Sequence, residues 1–195
     1  MEKNNLNRPY KLVMIGGSAG SLEVILKTLP RLKDDTTLSI VIVLHRKSSI
    51  DSPLTFLLAG KTSWEVQEVE EKQQIRPRTI YIAPADYHLL IEADHSFSLD
   101  FSEKIHYSRP SIDVSFECAA EIYGPSLVCV LLSGANEDGA EGLKKAKAAG
   151  AFIIIQDPET ADVSYMPKFA MNTVEPDMIV KPEELGEIIN QLGKD

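Results

Sequence analysis

The chain has 195 residues and a formal net charge of −9, from 20 Lys and Arg against 29 Asp and Glu. That length suits one domain that buries roughly 70% of its unfolded surface and needs no disulfide or metal to hold it together. The acidic balance argues against general nucleic-acid binding, which depends on phosphate neutralisation by Lys and Arg, and no run reaches the roughly 18 apolar residues of a membrane span.

The first ten residues, MEKNNLNRPY, are polar and lack the apolar core of a signal peptide. They read as an N-terminal extension, and a cytoplasmic protein is expected. A strand follows at 11–15 (KLVMI), then a helix near 20–33, a strand at 38–44 (LSIVIVL), a helix near 51–60 and a strand at 79–83 (TIYIA). YHLLIEA, Asp94-His95 and SFSLDF predict a β-hairpin near 87–101. A helix near 111–122, a strand at 126–132 (SLVCVLL), a helix near 139–149, a strand at 151–155 (AFIII) and a helix near 182–192 complete the pattern. Most of the strand runs are continuously apolar, as in strands buried on both faces. Alternation of strand and helix predicts a doubly wound α/β fold, a mostly parallel sheet with helices on both faces. No linker, repeat or low-complexity tract divides the chain, so 1–195 is expected to be a single domain. Cys118 and Cys129 match no zinc spacing and read as ordinary buried thiols.

In an open parallel sheet the active crevice lies beyond the carboxyl ends of the strands. After KLVMI comes Gly16-Gly17-Ser18-Ala19-Gly20, after LSIVIVL comes His45, and after SLVCVLL comes Ser133-Gly134-Ala135-Asn136-Glu137-Asp138-Gly139. A serine, a histidine and an aspartate therefore share one sheet edge. The first segment fits G-x-S-x-G, in which flanking glycines permit a sharp strand-to-helix turn that exposes the serine hydroxyl. A serine hydroxyl is a poor nucleophile at neutral pH and needs a base, which needs a partner to fix its tautomer. Ser18, His45 and Asp138 supply these three roles.

Each residue has a plainer explanation. Ser18 or Asp138 can cap the helix that follows it, and His45 can be a satisfied strand-end histidine. A phosphate on the Gly-rich turn is an alternative, but the segment fits neither G-x-G-x-x-G nor a P-loop and would leave His45 and Asp138 unexplained. A metal held by His45, Asp138 and Asp157 lacks supporting ligand spacing. His88 and His95 fall in the hairpin, where a solvated or cross-strand role is the default, and His106 lies in a polar connection. The acidic run from Glu68 to Glu71 reads as a solvated face, and His45-Arg46-Lys47 is too small a basic cluster to reverse the charge argument.

With these residues assembled, the chain resembles the catalytic domain of the CheB-type protein-glutamate methylesterases of bacterial chemotaxis. The resemblance runs from about Lys11 to Val180 through IGGSAGSLEVI, IVIVLHRKSS, IYIAPADYHLLIE, YSRPSIDVSFECAA, LLSGANEDGAEGL and the Met166-Pro167 segment. It implies hydrolysis of γ-glutamyl methyl esters on methylated chemoreceptors or receptor-like helical proteins, with release of methanol, and in some members deamidation of glutamine. Ser18 would be the nucleophile, His45 the general base and acid, and Asp138 the residue that orients the histidine. The backbone amides of Ala19 and Ala135 would form the oxyanion hole. No cofactor or metal is implied.

The family usually has threonine at the position of Ala19 and Gly-Met-Gly in place of Gly134-Ala135-Asn136; a backbone donor survives either change. No receiver domain precedes the first strand in this chain, so two readings stay open, a stand-alone esterase or a domain excised from a larger signalling protein, and a receiver domain or kinase in trans is one candidate regulator. Two alternatives stay open: a receptor- or partner-binding module on the same fold, and an esterase or amidase for small molecules.

Overall fold

The structure is a computed structural model that describes residues 8–46 and 54–193. Seven strands form one parallel sheet: β1 (Leu12–Gly17), β2 (Ser39–Leu44), β3 (Glu65–Glu68), β4 (Thr79–Ile82), β7 (Leu127–Leu131), β8 (Phe152–Gln156) and β9 (Met178–Val180), in spatial order β3-β4-β2-β1-β7-β8-β9. β5 (His88–Ile91) and β6 (Phe97–Asp100) form the expected antiparallel hairpin, with Ile91 opposite Phe97. The helices are α1 (Ser21–Thr28), α2 (Leu54–Ala59), α3 (Ile112–Tyr123), α4 (Ala140–Ala148), α5 (Tyr165–Thr173) and α6 (Leu185–Leu192).

The parallel strands are apolar on both faces because both faces are covered. Val13, Ile15, Ile40, Ile42, Val128 and Val130 pack with residues of α1 and α6 on one side. Leu12, Met14, Val41, Val43, Leu127 and Cys129 pack with α3, α4 and α5 on the other. The hairpin lies on α3, where Ser115 Oγ donates to Leu89 O at 3.0 Å and Ile91 exchanges bonds with Cys118 Sγ at 3.2 Å each way. That support matters because an isolated two-stranded hairpin is marginal in water.

From β1 the chain passes to its neighbour β2, then to the edge strand β3 and back to β4 between them, before it returns to pair β7 on the other side of β1. The strand order reverses there, which makes β1 and β7 the walls of the crevice where doubly wound sheets place their chemistry. β1 runs unusually close to α3: a Cβ on Gly16 would lie 2.4 Å from Ile112 Cγ2. Glycine at that position lets the start of α3 sit directly over the sheet edge.

Several elements differ from the sequence expectations. The first helix ends at Thr28 and continues as one 3-10 turn over Leu29–Arg31. The expected helix near 51–60 is seen as α2 from Leu54, its first three residues lying outside the described ones, as do residues 1–7 of the extension. β3, β9 and α5 carry no prior expectation. Both cysteines are free, Cys129 buried but Cys118 only half-buried, which corrects that expectation. Among the described residues, no helix is long and apolar enough to cross a membrane.

Candidate active site

β1, β2 and β7 are adjacent and parallel, so their carboxyl ends share one edge. Gly17 pairs with Leu44, and His45 N donates to Gly17 O at 3.2 Å, so Ser18 and His45 leave neighbouring strands at the same level. Neighbouring strands lie about 5 Å apart. Gly20 begins α1 at φ 83, a left-handed conformation that lets the chain turn sharply from strand into helix. Ser18 is half-buried and Ala19 exposed. Among the described residues, the Ser18 side chain caps no helix; its carbonyl instead accepts from Ser21 N at 3.1 Å and Ser21 Oγ at 2.5 Å.

The turn is fixed from the β7 side. Ser18 N donates to Ser133 O at 2.9 Å and Ser133 Oγ donates to Ala19 O at 2.7 Å. Gly134 N is taken by Val163 O at 3.1 Å, while Met166 N donates to Gly134 O at 3.0 Å. A Cβ on Gly134 would meet Met166 Sδ at 2.6 Å and Ser18 Cβ at 3.1 Å, so the loop after β7 lies directly against the serine. Among the described residues, the amides of Ala19 and Ala135 have no protein acceptor. Asn136 is not among the residues at positive φ; its Oδ1 accepts from Asp138 N at 3.3 Å.

Asp138 is fully buried. Its Oδ2 accepts from His45 Nε2 at 2.8 Å and from Ile112 N at 2.8 Å, and its Oδ1 accepts from Ser111 Oγ and Asp113 N, each at 2.9 Å. The carboxylate therefore does not cap α4, the helix that follows it. It binds the first amides of α3. Asp113, in the first turn of α3, returns the arrangement: its Oδ1 accepts from Gly139 N at 2.9 Å and Gly142 N at 2.6 Å at the start of α4. Each aspartate serves the N-terminus of the other's helix, where free amides and the helix dipole favour a negative charge.

The two carboxylates respond differently to this environment. Desolvation is the largest influence on both. At Asp138 it is outweighed by the hydrogen bonds from His45, Asp113 N and Ile112 N, so the carboxyl is held below its ordinary value and stays ionised. At Asp113 desolvation prevails over the Gly142 bond, with the Asp138 charge adding to it, and the carboxyl is pushed up to about 6. An ionised carboxylate only accepts, so neutral His45 carries its proton on Nε2 and presents Nδ1 as the acceptor.

The other sequence candidates resolve as follows. His88 is buried rather than solvated: Ser111 N donates to its Nδ1 at 3.1 Å and its Nε2 contacts Glu103 O at 2.9 Å. His95 is exposed at the hairpin tip and lies 5.0 Å from the Tyr123 ring. His106 bridges Asp113 at 3.5 Å and Glu137 at 3.2 Å. Asp157 accepts from Glu159 N at 3.0 Å in a local turn, and among the described residues no three His, Cys, Asp or Glu side chains gather into a metal-holding group. Glu68 pairs with Arg46, Glu71 accepts from Leu99 N, and Val69 within the acidic run is buried. Sequence reasoning missed Ser111, Asp113 and Ser133 as supports of the site; the Ser-Ile-Asp start of the 111–122 helix was the available signal for the first two.

Comparison with known proteins bears on the family and the fold. The family described as CheB methylesterase matches residues 13–189. A Leptospira interrogans relative is 40% identical over 185 residues, covering 95% of this chain and 96% of its own. The protein-glutamate methylesterase/protein-glutamine glutaminase of Thermotoga maritima is 33% identical over 186 residues, 92% of this chain and 54% of its own, so the chain spans about half of that relative. The crystal structure of the Thermotoga maritima CheB methylesterase catalytic domain superposes with a TM-score of 0.90 at 32% identity, covering 94% of this chain and 98% of that one.

Proposed function

The chain belongs to the CheB methylesterase family, and from that premise we propose that it hydrolyses γ-glutamyl methyl esters of methylated chemoreceptors or related helical proteins, with Ser18, His45 and Asp138 as its triad. Ser18 Oγ attacks the ester carbonyl while His45 Nδ1 takes the hydroxyl proton. Negative charge grows on the carbonyl oxygen, and the amides of Ala19 and Ala135 are its donors. Collapse of the tetrahedral intermediate breaks the bond to methoxide, which leaves as methanol with the proton from His45. A glutamyl ester of Ser18 remains. Water then attacks that ester, His45 takes and returns a proton a second time, and glutamate and free Ser18 are released. With glutamine as substrate the same steps release ammonia.

The observation that carries this reading is the 2.8 Å bond between His45 and a buried, ionised Asp138 on the edge where Ser18 also emerges. Asp138 holds the imidazole tautomer and stabilises the imidazolium formed in each half-reaction. The substrate reaches the enzyme from the cytoplasmic side in this scheme.

The test is methanol release from receptor-containing membranes carrying labelled methyl groups, comparing wild type with Ser18→Ala. Release by wild type alone is the expected result. No release by wild type would transfer the site to receptor binding without turnover, and release by both proteins would remove Ser18 from the mechanism.

A further inference from the structure

A cavity of about 510 Å³ opens beside His45, lined also by Arg46, Asp86, Lys104, Tyr107 and Arg109. Its outer wall is the connection between the hairpin and α3. That wall is a built structure: Ile105 and Ser108 exchange backbone bonds at 3.1 and 2.8 Å, placing Tyr107 at the tip of a turn with 98% of its surface exposed. His106 ties the same turn to Asp113 and Glu137. The wall is thereby joined to the loop that carries Asp138.

The charge of this mouth runs against that of the chain. Three cations face the cavity in a protein of net charge −9. Arg46 is engaged by Glu68. Lys104 and Arg109 form no ion pair among the described residues, and Asp86 is the one carboxylate among the lining residues. Arg109 is nevertheless held in place: its guanidinium carbon lies 3.8 Å from the centre of the Phe101 ring, and Nη1 donates to Phe101 O at 3.0 Å and Ser102 O at 2.5 Å. These partners are all neutral. They orient the guanidinium without forming an ion pair with it, although the Asp100 carboxylate feels its charge, so little side-chain freedom is left to lose when a carboxylate arrives.

A methyl ester is uncharged and has no use for two cations. We propose that Lys104 and Arg109 are specificity-determining residues that receive an unmodified Asp or Glu side chain of the substrate helix, three or four residues from the methylated glutamate. Residues at that spacing stand about 5–6 Å apart on one helix face, so the ester reaches Ser18 while its neighbour enters the cavity beside His45. This proposal rests on the methylesterase reading. It also lets a chain of net charge −9 receive a carboxylate: repulsion from its distant acidic groups is screened beyond about 8–10 Å, whereas the attraction inside the mouth acts within that distance.

The test uses helical peptides that each carry one γ-methyl glutamate, with either Glu or Ala four residues away on each side. Wild type is expected to show a KM about tenfold lower for the Glu-flanked peptide, a preference that shrinks in about 0.5 M salt. Lys104→Gln and Arg109→Gln are each expected to bring the ratio of the two KM values toward one. Arg109 also props the Phe101–Ser102 turn, and Lys104→Gln keeps the test valid if the arginine variant misfolds. Cleavage of both peptides by wild type with equal KM overturns this proposal alone. Cleavage of neither overturns the methylesterase reading and the proposal with it.

Discussion

Asp138→Asn probes the site most directly because all four hydrogen bonds to this carboxylate come from donors: His45 Nε2, Ile112 N, Ser111 Oγ and Asp113 N. An amide offers one acceptor oxygen and one donating nitrogen. If the nitrogen replaces Oδ2, it confronts Ile112 N and forces His45 to accept on Nε2, which moves the imidazole proton to Nδ1 and removes the base. If it replaces Oδ1, Ser111 can rotate to accept, but Asp113 N loses its partner and the negative charge behind His45 is gone. Either orientation orphans one buried amide, at a cost of about 1–3 kcal/mol. The first also produces the wrong tautomer, which lowers kcat by about 10⁴-fold in a related triad; the second leaves the imidazolium uncompensated. Urea unfolding and initial rates of methanol release measure the two effects separately. A variant as stable as wild type, or one with kcat within about tenfold of it, would refute the assignment of Asp138 as the orienting acid.

Ser18→Ala is expected to lower turnover by about 10³-fold or more while changing stability by less than about 0.5 kcal/mol, because the hydroxyl caps no helix among the described residues; a large loss of stability would show a structural role. Gly20→Ala should destabilise the protein by about 1–2 kcal/mol and slow the reaction. The new Cβ would sit at φ 83, 2.6 Å from Asp162 Cβ and 2.8 Å from Ser133 Oγ, the group that holds Ala19; wild-type stability in a thermal melt would contradict this. Asp113→Asn tests the raised carboxyl. Since the folded-state value near 6 lies above the ordinary 3.8, this aspartate favours folding at low pH, and that contribution is lost as pH rises through about 6. Stability of Asp113→Asn relative to wild type should therefore increase between about pH 4 and pH 7 and then level off. A difference that does not vary with pH over that range would refute the shift.

The central strands were legible because burial on both faces leaves unbroken apolar runs, and the shared edge of Ser18, His45 and Asp138 followed from parallel connectivity. β3 was not, since its sequence, EVQE, contributes only Val66 to the packing and sits at the exposed edge of the sheet. α5 was hidden by Pro167, yet a proline in the first turn sacrifices no helical hydrogen bond. At the site, spacing identified the three reactive side chains but not what holds them. Ser111 and Asp113 act on Asp138 across 25–27 residues of sequence, and a hydrogen bond of that separation has no periodic signature. Asp138 likewise looked like a cap for α4, because a sequence shows which helix follows an aspartate and not which one its carboxylate faces.

The crossed capping of α3 and α4 bears directly on catalysis. Buried Asp138 and the partly buried Asp113 lie close enough for each to feel the other's charge, and like charges at short range drive their proton affinities apart. Four donors stand against Asp138, whereas Asp113 has two glycine amides and a histidine at 3.5 Å. As pH falls, the first proton taken up by the pair therefore goes to Asp113, whose carboxyl is the one pushed up to about 6. Protonation there relieves the repulsion on Asp138 and leaves Asp113 N still donating to it, because that bond uses the backbone. The orienting acid thus keeps its charge over a range in which its neighbour has already become neutral.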